Sequence, residues 1–67
     1  MADMEDELTA REREVAALVA KGDQNKVIAR ELDIGEDQVN KHMSSTIEKL
    51  GVTNRAGIAA WWTRKYG

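Results

Sequence analysis

His42, Ser44, Ser45 and Asp37 are the side chains in this sequence whose types and spacing could do covalent chemistry. Together they hold a base, two hydroxyls and a carboxylate within nine positions. A hydrolytic triad needs these groups to converge from different elements on one pocket that also supplies oxyanion donors. Here they fall on one short helical stretch, so we expect no catalysis. There is no cysteine and only one histidine, which leaves no donor set for a structural or catalytic metal and suggests no cofactor. What remains is hydrogen bonding and charge: an Asn, a Lys and two Ser on the outward side of a helix, with Asn25 and Lys26 at the start of another.

The elements that must position these groups can be read from periodicity and caps. Thr9-Ala10-Arg11-Glu12 fits a capping box, with Leu8 before it as a hydrophobic staple. Leu8, Val15, Leu18 and Val19 then form one stripe, and Gly22 can end the helix in the left-handed conformation. A second, short helix presents Ile28, Ala29 and Leu32 inward, with Val27 at its margin. After the turn Asp33-Ile34-Gly35, the residues Val39, Met43, Ile47 and Leu50 mark the buried face of a third helix. That phase turns Asn40, Lys41, Ser44, Ser45 and Glu48 outward or sideways. Gly51 closes it, Val52 packs back, and Thr53 or Asn54 caps a fourth helix bearing Ile58, Trp61 and Trp62. The expected fold is all-α, a four-helix bundle with a helix-turn-helix, the helices spanning about 9–21, 24–32, 36–50 and 54–65.

Size and composition bound the rest. With 67 residues and neither Cys nor Pro, one apolar core must hold the whole chain. No run approaches the roughly 20 apolar residues of a membrane span, and the start is acidic where a signal peptide would be basic. A cytoplasmic protein without membrane attachment is expected. The net charge of −2 runs against the basic excess usual for DNA binders. Asp3, Glu5, Asp6 and Glu7, however, lie in the first seven residues, so 1–7 reads as an acidic disordered tail. The domain at 8–67 keeps a small basic excess.

These residues carry a resemblance to a known family: Leu8-Thr9-x-Arg11-Glu12-Arg13-Glu14-Val15, Asn25-Lys26-x-Ile28-Ala29-Arg30-x-Leu32, Val39-x-x-His42 and Lys49-Leu50-Gly51-Val52-x-Asn54-Arg55-Ala56. The chain resembles the LuxR/GerE/FixJ-type helix-turn-helix domain, the output domain of many bacterial response and quorum-sensing regulators. The resemblance implies a transcription regulator that binds double-stranded DNA, with the third helix in the major groove and the fourth forming a homodimer. It places Asn40, Lys41 and Ser44 at base edges. Asn25, Lys26, Gln38, His42, Ser45 and Lys49 fall toward phosphates or the groove wall. Gly57, Ile58, Trp61 and Trp62 fall at the dimer contact, where a second backbone could approach Gly57. Asn could bond adenine in two places and Lys could bond guanine acceptors.

Where the family commonly has Ser or Thr this chain has Gly35, and where it commonly has Lys it has Asn40. Lys41 and Lys49 are the only cations of the reading helix, against Glu36, Asp37 and Glu48. That thin basic face supports a second expectation: a helix-turn-helix-derived interaction module with weak or no DNA binding, which engages another regulator, a sigma factor or RNA polymerase. Arg30 and Arg55 are expected to pair with Glu12, Glu14 or Glu31. The chain reads either as a stand-alone regulator or as the excised output half of a larger one.

Overall fold

The structure is a computed structural model and describes residues 8–67. The expected acidic tail at 1–7 lies outside the described residues. Four helices and no strand make up the described part: α1 Ala10–Lys21, α2 Asn25–Leu32, α3 Glu36–Leu50 and α4 Arg55–Tyr66. The expected helix starts at 9, 24 and 54 fall on the caps Thr9, Gln24 and Asn54. The last helix runs one residue further than expected.

Local chemistry explains these boundaries. The Thr9 amide donates to Glu12 Oε1 at 2.8 Å and the Glu12 amide to Thr9 Oγ1 at 3.1 Å, which completes the capping box. Asn54 caps α4 by accepting from the Gly57 amide at 3.2 Å. Three helices end alike, with Gly22, Asp33 and Gly51 in the left-handed region at φ 101°, 57° and 68°. In each case the next amide reaches back five residues: Asp23 to Leu18, Ile34 to Ala29 and Val52 to Ile47, at 3.0 to 3.2 Å. Ile34 and Val52, delivered by those turns, fold back onto the core.

The core draws on every helix. Val15, Ala16 and Val19 of α1, Ile28 and Ala29 of α2, Val39 and Met43 of α3 and Ile58 of α4 are buried together, ringed by Leu18, Leu32, Ile47, Ala59 and Trp62. α1 lies against both α3 and α4, while α2 packs chiefly on α3. The buried stripe of α3 is centred differently from the expectation. Thr46 is fully enclosed, and Ile47 and Leu50 are only partly so. The Thr46 hydroxyl donates to the His42 carbonyl at 2.7 Å, so the enclosed polar group is satisfied within its own helix.

Candidate nucleic-acid interface

The inward anchors of α3 fix what its other side shows. Val39 and Met43 are buried, so Asn40, Lys41 and Ser44 turn outward together, and all three are exposed. Glu36, Asp37, Gln38 and Glu48 are exposed on the same helix. The three residues expected at base edges therefore share one solvent-facing side of a 15-residue helix, about 22 Å long.

Two residues expected toward phosphates are turned inward instead. Lys49 Nζ lies 2.8 Å from Glu12 Oε1, and the Ser45 hydroxyl favours the ionised form of the same carboxylate. The cause is Glu12 itself, which occupies the buried stripe of α1 and is only 4% exposed. A carboxylate taken out of water needs a countercharge and donors to remain ionised. Burial alone would raise its pKa. The hydrogen bonds from Lys49 and the Thr9 amide, with the Ser45 hydroxyl and the charge of Lys49, outweigh that and hold it at about 2. Lys49 thus ties α3 to α1, and Ser45 stands partly buried beside it.

At the start of α2 a polar relay joins three elements. Arg55 Nη2 donates to the Asp23 carbonyl at 2.8 Å and Nη1 to Asn25 Oδ1 at 2.9 Å. Asn25 Nδ2 in turn donates to Asn40 Oδ1 at 2.8 Å. Arg55 thus differs from the expectation: its partners are an amide and a backbone carbonyl, and no glutamate is involved. The Asn25 side chain is likewise spent within the chain, on Arg55 and Asn40. The relay brings the opening turn of α2 against the outer face of α3. Gln24 caps α2 without a side-chain bond, Lys26 and Gln38 are exposed, and His42 is partly buried. Arg11, paired with Glu14 at 3.4 Å, also donates to the Leu32 carbonyl at the far end of α2.

α4 holds all three aromatic residues of the chain. Trp62 packs on the core, whereas Trp61 borders a surface recess with Arg64 and Lys65. Tyr66 is half exposed, and its ring lies 4.3 Å from that of Trp62 and 6.3 Å from that of Trp61, centre to centre. Two members of the expected dimer contact face the protein's own interior. Ile58 is fully enclosed. At Gly57 an added Cβ would meet Val52 Cβ at 2.7 Å, so a side chain of the same molecule already lies close there. Trp61 and Trp62 remain at or near the surface.

Among the described residues no helix is long and apolar enough to cross a membrane, and no cluster of His, Cys, Asp or Glu could hold a metal. Compared with known proteins, residues 6–62 match the family described as bacterial regulatory proteins, luxR family. The nitrate/nitrite response regulator protein NarL of Escherichia coli K12 is 42% identical over 55 residues, 82% of this chain and 26% of that protein. The spore germination protein GerE of Bacillus subtilis is 47% identical over 49 residues, 73% of this chain and 66% of that protein. The transcriptional regulatory protein DesR of Bacillus subtilis is 50% identical over 48 residues, 72% of this chain and 24% of that protein. The chain thus spans about a quarter of the length of two of these relatives.

Proposed function

The chain belongs to the luxR family of bacterial regulatory proteins, and from that membership we propose that it is a sequence-specific DNA-binding transcription regulator without chemistry of its own. In this reading α3 lies in the major groove, which at about 12 Å is wide enough for a helix. The observation that carries it is the outer face of α3: Asn40, Lys41 and Ser44 stand exposed together on a helix whose opposite face is locked into the core. These three meet base edges. Lys26, Gln38, His42 and the backbone amides opening α2 hold the flanking phosphates, as the positive end of a helix favours an anion. Relatives named as transcriptional regulatory proteins support the same class of function.

The charge of the face sets how it is used. Lys41 is the one cation on the outer side of α3, and Glu36, Asp37 and Glu48 share that helix. A single copy therefore binds weakly, because affinity for DNA grows with the number of phosphates neutralised. A homodimer doubles the contacts and reads two half-sites one helical turn apart. The α4 surface bearing the exposed Tyr66 and the partly exposed Trp61 and Trp62 is the self-association patch, since aromatic rings that reach the surface suit an interface. The protein works in the cytoplasm, by occupying its site and recruiting RNA polymerase or another regulator.

The test is fluorescence anisotropy on a mixed-sequence duplex, titrated from low to physiological salt, with sedimentation of the same samples. Binding that weakens steeply with salt, together with dimer formation, is the expected result. A stable dimer with no binding even at low salt would overturn the DNA-reading assignment.

A further inference from the structure

The relay from Arg55 through Asn25 to Asn40 has only one direction in which its protons can run. A guanidinium has donors and no acceptor, so Arg55 Nη1, anchored by the second bond of Nη2 to the Asp23 carbonyl, can meet Asn25 only at Oδ1. That contact fixes which way the Asn25 amide faces. Its NH2 group is then the part left pointing at α3, and an NH2 group can only donate. Asn40 must answer with Oδ1, as it does at 2.8 Å. The amide orientation of an exposed side chain on the reading face is thereby set by a charged group in α4, two hydrogen bonds away. Both protons of Asn40 Nδ2 are left to face outward.

We propose that Asn25, held by Arg55, is a positioning residue for base selection. It presents Asn40 to the groove as a donor, so that α3 selects a base with acceptors at that place, guanine or thymine, over adenine or cytosine. The chemistry follows from the major-groove edges. Guanine shows N7 and O6 side by side and thymine shows O4, all acceptors. Cytosine shows an N4 amino group. Adenine offers N7 but sets its N6 amino group against the same donor. Adenine's paired bond with an asparagine needs the oxygen and the nitrogen of the amide together, and here the oxygen is committed to Asn25. This inference rests on the proposal that α3 reads DNA.

The experiment is selection of bound duplexes from a pool with a randomised core, at low salt, using the full chain and three variants. Asn40→Ala identifies the contacted position as the one whose preference collapses. At that position the unmodified chain is expected to favour guanine or thymine by roughly tenfold. Asn25→Asp keeps a partner for Arg55 but offers an acceptor to α3. Asn40 should then turn its NH2 inward and its oxygen outward, and the preference should pass to adenine or cytosine. Asn40→Asp changes an exposed residue that can still accept the bond from Asn25, and should move the preference the same way, whatever the fate of the Asn25 variant. A loss of overall affinity in the acidic variants does not imitate this result, because the readout is the ranking of bases at one position. An unchanged ranking in both acidic variants, or adenine or cytosine favoured by the unmodified chain, overturns the positioning role while leaving DNA reading intact. Retention of no duplex by the unmodified chain overturns both.

Discussion

Lys49 Nζ lies 2.8 Å from Glu12 Oε1, the same oxygen that accepts the Thr9 amide at 2.8 Å. One carboxylate therefore serves as the capping group of α1 and as the buried anchor that ties α1 to α3. Its folded pKa of about 2 lies below its ordinary 4.5. Its stabilisation is thus complete above about pH 4.5 and declines as the pH falls toward 2. The shift corresponds to roughly 3 kcal/mol. Glu12→Gln keeps an oxygen for the Thr9 amide but removes the charge. At neutral pH the variant should be less stable by up to about that amount, and the two chains should converge near pH 2. Thermal unfolding followed by circular dichroism from pH 7 to pH 2 measures both curves, and parallel curves would refute the assigned charge.

Removing the cation should be as costly as removing the anion. Lys49→Ala leaves Glu12 buried beside Ser45 and Thr9 without a countercharge, a loss of up to about 3 kcal/mol, the low end for a buried pair because Lys49 is partly exposed. Lys41→Ala, on the exposed side of the same helix, should change stability by less than about 0.5 kcal/mol. Its effect should fall on DNA affinity, at about 1 to 3 kcal/mol for a base contact. Denaturant unfolding and anisotropy on both variants separate the two lysines. If Lys49→Ala unfolds like the unmodified chain while losing DNA, the ammonium belongs to the DNA face after all.

The contrast between these lysines marks what the sequence makes legible. Helix ends are local events: Thr9 with Glu12, the glycines at 22 and 51, and Asn54 before a helix each signal over a few residues, and the observed boundaries follow them. The hidden carboxylate had a local signal too, since positions 8, 12, 15 and 19 form one stripe and Glu12 stands on it. Its partner is 37 residues away, and choosing Lys49 over any other cation requires the relative rotation of α1 and α3. Arg55 poses the same problem, because its partners in the Asp23–Asn25 stretch lie across the fold. In α4 the signal is ambiguous for a different reason. Ile58, Ala59, Trp61 and Trp62 are apolar around most of the helix, so no phase stands out, and Ile58 reads as surface although it is fully enclosed. On α3 the fault is one of residue type. The apolar Ile47 outweighs Thr46 in a hydrophobic count, yet the rotation set by Val39 and Met43 carries Thr46 to the centre.

Gly57→Ala tests the fit between α4 and the turn before it. In the first turn of a helix the change should gain less than the about 1 kcal/mol of conformational preference seen in a helix interior. Here the new methyl would sit 2.7 Å from Val52 Cβ, a contact that forces the turn and the helix apart at a cost of about 1 to 3 kcal/mol. The net effect should be destabilising. Because the obstructing atom is Val52 Cβ itself, combining the change with Val52→Ala should bring no rescue. Urea unfolding of the single and double variants measures this, and a more stable Gly57→Ala chain would show that α4 has room to move.

The two tryptophans should separate folding from assembly. Trp62 packs on the core and holds its ring 4.3 Å from that of Tyr66, tilted by 44°, so Trp62→Ala should lower both the melting temperature and self-association. Trp61 lies outward, bordering the recess with Arg64 and Lys65. Trp61→Ala should therefore leave melting nearly unchanged and weaken only the dimer, as read by sedimentation. A reading face with one outward cation makes the dimer matter most on DNA that both copies can reach. On a duplex of about two helical turns, which admits two recognition helices in successive major grooves, Trp61→Ala should lose affinity by roughly tenfold or more through the lost second contact. On a duplex of one turn, where a single copy binds in either case, the two proteins should be equal. Equal losses on both duplexes would mean that Trp61 supports the domain rather than its partner. No loss on either would move the self-association surface away from the Trp61 side of α4.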